Sequence, residues 1–190
     1  MNKRDRKTII ILSKYTLPLF ITLSILLLAS CEVNQAVPAN IQNRDVTKSP
    51  EAKSGYIIAL EKGDYVTALK EIRPLAAKGD VHAQNTYAQM YSDGVGLPQN
   101  YEEAAKWWLL AANQGSASAQ YKIGVMHVKG KVFPKNNNEA IKWIRKSAEN
   151  GFMHAQFNLA AALQEGIITP RDYSEAFAWY RKAAEQGFAK

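Results

Sequence analysis

The sequence predicts an all-α fold, an α-solenoid of stacked helix-turn-helix units, and two observations carry that prediction. The first is an interval: Gly79, Gly115, Gly151 and Gly187 are each 36 residues apart, and Trp107, Trp143 and Trp179 keep the same step. Ala104, Ala140 and Ala176 share it, as do Gly94, Gly130 and Gly166, then Pro98, Pro134 and Pro170, then the Ala-Gln pairs starting at Ala83, Ala119 and Ala155. The second is that each interval holds two segments of helical apolar spacing, separated by a loop containing Gly and Pro. Units of this kind bury their apolar faces only against their neighbours, so registers in phase mark an array of layers rather than one closed core.

The chain opens on a segment that does not belong to the array. Asn2 to Lys7 is basic, Tyr15 to Ser30 is apolar and uncharged, and small residues end the run. These are the three parts of an export signal, assigned to residues 1–30. At about 16 residues the run is short of the roughly 20 that a spanning helix needs, which favours cleavage. Leu28-Ala29-Ser30-Cys31 resembles the lipobox of bacterial lipoproteins, whose cysteine receives diacylglycerol before the peptide is cut on its N-terminal side. The resemblance implies that Cys31 is the lipidated first residue of the mature protein, carrying palmitate-type chains that anchor it in a membrane. Two or three acyl chains on one residue hold stably where one binds only reversibly. A free thiol in an ordinary signal peptide is the competing reading. Cys31 is the one cysteine in the chain, so no disulfide accounts for it. Glu32 follows it rather than Asp, and by resemblance to enteric-type sorting this favours the outer over the inner membrane of a bacterial cell envelope.

Residues 31–53 read as the lipidated N-terminus and a disordered tether. Glu32 to Lys53 is polar, contains Pro38 and Pro50, and has neither helical nor strand periodicity. As a flexible coil its root-mean-square span is about 25 Å. The formal net charge of +7 also falls away here. Five of the 24 basic residues but one of the 17 acidic residues precede Cys31, so the remainder carries only +3, with Lys and Glu interspersed. That distribution is a solvated surface and speaks against nucleic-acid binding.

Residues 54–190 form the repeat domain. The first segment of a unit, Val81 to Ser92, puts Ala83, Tyr87, Met90 and Tyr91 on one side; the second, Tyr101 to Asn113, does so with Ala104, Trp108, Ala111 and Ala112. Both read as amphipathic helices, with alanines permitting close approach of helix axes and large residues filling the space between layers. Gly94 and its equivalents end the first helix and Gly79 and its equivalents the second, where a left-handed residue is expected. Pro98, Pro134 and Pro170 stop continuation.

These residues resemble the Sel1-like repeat, a relative of the tetratricopeptide hairpin with a longer loop between its helices. The match runs through Ala83-Gln84, Tyr87, Tyr91, Gly94-Val95-Gly96-Leu97-Pro98-Gln99-Asn100-Tyr101, Ala104, Trp107, Ala111-Ala112 and Gly115. It implies repeats at 80–115, 116–151 and 152–187, preceded by a divergent hairpin at 54–79. It also implies a protein-binding adaptor. The departures are local: His127 and Leu163 stand where Tyr91 does, Ala160 where Gly124 does, and Gly96 becomes Val132 and Ile168. The later loops are therefore expected to be more extended and individually shaped.

Some cysteine-rich Sel1-like secreted proteins are described as β-lactam-hydrolysing, which sets an enzymatic reading against the residues. None of the ten serines begins a Ser-x-x-Lys motif, and no His-Glu-x-x-His or Cys-x-x-Cys is present. His82, His127 and His154 lie on no shared ligand spacing, and His82 and His154 occupy one place in different repeats. Neither catalytic residues, nor metal ligands, nor a cofactor is expected.

The candidate partner-binding residues lie on the side of the first helix opposite the apolar stripe. They are Asn85 and Gln89, then Tyr121 and Val125, then Phe157 and Ala161, flanked by His82, Ser118 and His154. Tyr121 and Phe157 are large for positions that amphipathicity would leave wet, and burial of both rings between layers is the alternative. Trp107, Trp143 and Trp179 read as stacking core. The side of the last helix bearing Trp179 is expected to lie uncovered, a surface for self-association. The sequence thus predicts an envelope-anchored protein–protein interaction scaffold without catalytic activity, its partners one unidentified protein and the membrane at Cys31. An envelope hydrolase of β-lactam or peptidoglycan type and a cell-wall glycan-binding module remain the alternatives.

Overall fold

A computed structural model describes residues 54–188; the export signal expected at 1–30, Cys31 and the tether expected to follow it lie outside the described residues. Eight helices occupy them: α1 Gly55–Glu61, α2 Tyr65–Ala77, α3 Val81–Asp93, α4 Tyr101–Asn113, α5 Ala117–Lys129, α6 Asn137–Glu149, α7 Met153–Glu165 and α8 Tyr173–Glu185. Substantial contacts run only between helices consecutive in the chain, α1 on α2 through α7 on α8. Nearest-neighbour packing of equal two-helix layers is what makes an α-solenoid.

Local chemistry sets the helix starts. Asp64, Asp80, Asn100, Ser116, Asn136 and Asp172 each accept a hydrogen bond from the backbone N–H three residues on, satisfying a donor that the first turn leaves free. Phe152, at the start of α7, has no side chain able to do so. The first helices end on Gly94, Gly130 and Gly166, at φ of 70°, 66° and 71°, left-handed geometry in which a β-carbon is strained.

The inter-helix loops differ from expectation. All three pass through the same turn and bends over the same length, and each closes with one backbone bond, Asn100 N–H to Tyr91 O, Asn136 to His127 O and Asp172 to Leu163 O. The left-handed glycine and this bond fix the loop. Gly96 is itself left-handed, at φ of 73°, and the first loop adds a bond from Val95 N–H to Met90 O.

Three clusters, one between each pair of neighbouring layers, make up the core. Tyr56, Ile72, Ala83, Tyr87 and Met90 form the first, Ala88, Trp108, Ala119, Ile123 and Met126 the second, Ile144, Leu159, Leu163 and Trp179 the third. Ala104 and Ala140 have no exposed surface, which lets each second helix lie close against its own first helix. At Gly124, where the neighbouring repeats have Ala88 and Ala160, the layers approach closely: a β-carbon there would lie 2.7 Å from Ile144 Cγ1.

Candidate functional site

The layers are held in register by a ladder of buried amides. Gln84, Gln120 and Gln156 each donate from Nε2 to a carbonyl of the preceding second helix, Ala76, Ala112 and Ala148, at 3.1 Å in every layer. Each in turn accepts on Oε1 from the residue ending the next second helix, Gln114, Asn150 and Gln186, at 2.8, 2.9 and 2.7 Å. A buried amide left unpaired costs about 1–3 kcal/mol, so repetition of the Ala-Gln pair fixes how each first helix sits on the layer before it.

With α3, α5 and α7 so placed, the six candidate residues are all half-buried, neither lost in the core nor fully wet. Asn85 and Gln89 lie in α3, where Gln89 Nε2 donates to Asp93 Oδ2 at 2.7 Å. Val125 and Ala161 lie in α5 and α7. Ser118 corrects the expectation for its side: it is buried, its hydroxyl 3.3 Å from that of Ser116, because the first turn of α5 tucks under the layer before it.

Tyr121 and Phe157 are joined through His154 and through rings that the sequence pattern did not single out. Tyr121 stands 5.3 Å from Phe152, Phe152 5.4 Å from His154, His154 5.3 Å from Phe188, Phe188 4.5 Å from Phe157, and Phe157 5.3 Å from Tyr180, as centroid separations. The result is a six-ring ledge along the first-helix side of the last two layers, every member half-buried except the exposed His154. Asn158 Nδ2 donates to the Tyr121 hydroxyl and fixes that ring's direction. Phe152 and Phe188 sit one residue after Gly151 and Gly187, the place of the capping residues Asp80 and Ser116. Loss of the polar cap at Phe152 was the available signal. Offset and edge-on aromatic contacts contribute about 0.5–1.5 kcal/mol each beyond burial, so the ledge is an ordered surface.

Electrostatics on the ledge favour neutral groups. Crowding by the surrounding rings, and secondarily the charge of Lys122, holds the His154 imidazole below its usual pKa. Burial, then the carboxylate of Glu165, raises the Tyr180 phenol. His127 stacks on Phe133 at 4.7 Å in a separate layer, and His82 is exposed on α3. The three histidines thus do not converge, and among the described residues no cluster of His, Cys, Asp and Glu is arranged to hold a metal.

Trp107 and Trp143 are half-buried against the core clusters, with Lys146 4.8 Å above Trp143. Trp179 is buried at 7% exposure, donates its indole N–H to Glu175 and lies under Lys182. The expectation of an uncovered side bearing Trp179 is therefore wrong, because α7 and the Arg145–Glu175 pair close over it. The exposed side of α8 carries Phe177 instead, at 69%, in the place where Ala105 is 2% exposed two layers earlier. Tyr173, one turn away, is 64% exposed.

Comparison with known proteins bears on this arrangement. The family model described as Sel1 repeat matches residues 81–116, 117–152 and 154–188, more than half of the chain. A Sel1 repeat protein from Oxalobacter formigenes is similar in structure, at 38% identity and a TM-score of 0.66 over 70% of this chain and 54% of that one. A protective antigen present in uropathogenic Escherichia coli strains, displaying an SLR fold, is similar at 34% identity and 0.63, over 70% of this chain and 31% of that one. The chain thus spans about half and about a third of the lengths of these two structures. No curated protein matches it.

Proposed function

The chain belongs to the Sel1 repeat family, and on that premise we propose that it is an envelope-anchored scaffold without chemistry of its own that takes a protein partner on its aromatic ledge. Sel1 repeat proteins typically act as protein-interaction scaffolds, which supports the general class. The observation that carries the site is the unbroken contact from Tyr121 through Phe152, His154, Phe188 and Phe157 to Tyr180 on one side of α5, α7 and α8. Half-exposed rings with fixed directions lose little conformational entropy on binding, and desolvating them is favourable, which is how aromatic anchors work at interfaces. Membrane attachment through Cys31, in the outer membrane, is the sequence-based part of this reading.

The test replaces Tyr121 and Phe157 together with Ala. Capture of the partner should be lost while helical circular dichroism persists and the melting temperature drops by only a few degrees, as removing half-buried rings predicts. A collapsed melting curve would assign both rings to the core. Purified protein that turns over nitrocefin or muropeptides, losing that turnover when one polar residue is changed, would replace the scaffold reading with a hydrolase.

Self-association belongs to the same proposal. Phe177 and Tyr173 lie one helical turn apart, and each Å² of their apolar surface covered by a second copy would contribute about 25 cal/mol. Sedimentation should show a dimer weakened by Phe177→Ser; a monomer at high concentration would remove this part.

A further inference from the structure

We propose that the outer side of α2 rests on an anionic lipid surface, an inference that depends on the membrane attachment proposed above. Val66, Lys70, Arg73, Pro74 and Ala77 form one open stripe along α2, with Val66 81% exposed. Thirty-six-residue steps from Val66 reach Glu102, Asn138 and Ser174, and from Ala77 they reach Asn113, Glu149 and Glu185. Both ends of the stripe are therefore polar or acidic in every later second helix and apolar only in α2. Its centre keeps two cations and no carboxylate. Arg73 is oriented by donating from Nε to the Tyr87 hydroxyl at 3.1 Å, which leaves the rest of its guanidinium to the surface.

Chain connectivity names the occupant. Ser54, where the described residues begin, follows the end of the apolar run at Ser30 by 24 residues, and a coil of that length spans about 25–30 Å. With the attachment proposed at Cys31, α1 and α2 are the helices closest to it along the chain. Three of the seven large apolar side chains exposed among the described residues, Ile58, Tyr65 and Val66, belong to this hairpin. Apolar residues flanked by Lys and Arg, without acids between them, are the chemistry that settles into anionic headgroups.

The test uses the full chain, produced in bacteria and reconstituted in vesicles of phosphatidylethanolamine with phosphatidylglycerol. A fluorescent amino acid replaces Val66 or, as control, Lys142, which is 66% exposed on the outer side of α6. The label at 66 should emit to the blue of the label at 142 and be quenched by lipid-borne quenchers. Lys70→Glu with Arg73→Glu, or vesicles of phosphatidylcholine alone, should abolish the difference. A chain that floats with the vesicles while both labels emit alike would overturn the docking and leave the attachment standing. A chain that does not float would overturn both.

Discussion

At the scale of single residues, the ledge is built from side chains that break a local rule or leave their usual environment. His154 shows this most directly, because rings on two sides and Lys122 depress its pKa below the ordinary 6.5. The sign follows from linkage: as pH falls below about 6.5 the unfolded chain takes up this proton before the folded one does, so stability present above that pH declines until the folded imidazole titrates as well. The melting temperature should fall between pH 7.5 and 5 more steeply in the wild type than in His154→Gln. Equal slopes would place the ring in water. The Glu175 carboxylate, held low by Arg145, acts in a separate window below about 4.5. Gly124 shows what a single sequence withholds: its exchange for Ala88 and Ala160 reads as neutral drift until the Ile144 side chain is seen 2.7 Å from where a β-carbon would stand.

At the scale of elements, α7 is the helix in which fold and function pull apart. Its start forgoes a side-chain cap worth about 1 kcal/mol and places the Phe152 ring between Tyr121 and His154 instead. Phe152→Asp restores the cap but gives up two ring contacts and the packing of a half-buried ring against the third cluster, so the melting temperature should fall by a few degrees while partner capture is lost; a large fall in melting temperature with capture intact would show that the ring serves packing alone. The helices themselves were legible, since period and apolar spacing put them at Val81–Ser92 and Tyr101–Asn113 against the observed Val81–Asp93 and Tyr101–Asn113. The common length of the loops was not legible, because Gly96, Val132 and Ile168 look like three different turns, whereas Gly94, Gly130 and Gly166 and one closing backbone bond set the same end points in all three. The sequence suggested Tyr121 and Phe157 from their bulk at wet positions. It did not suggest Phe152, Phe188 or Tyr180, whose contacts reach across helix boundaries and cannot be read from spacing within one helix.

At the scale of the whole repeat domain, stacking does two things at once. It buries small residues and buried amides at identical places in each layer, and it leaves one side of each first helix free to vary, which here has filled with aromatic rings in the last two layers. The account therefore stands on the partner meeting that side rather than the outer side of the second helices. Photo-crosslinking in living cells tests this most directly, with a crosslinking amino acid at position 157 or at position 106, where Lys106 is 68% exposed on α4. The account predicts a discrete protein adduct from 157 that disappears in Phe152→Asp, and none from 106. The same adducts from both positions, or adducts from 106 alone, would contradict it.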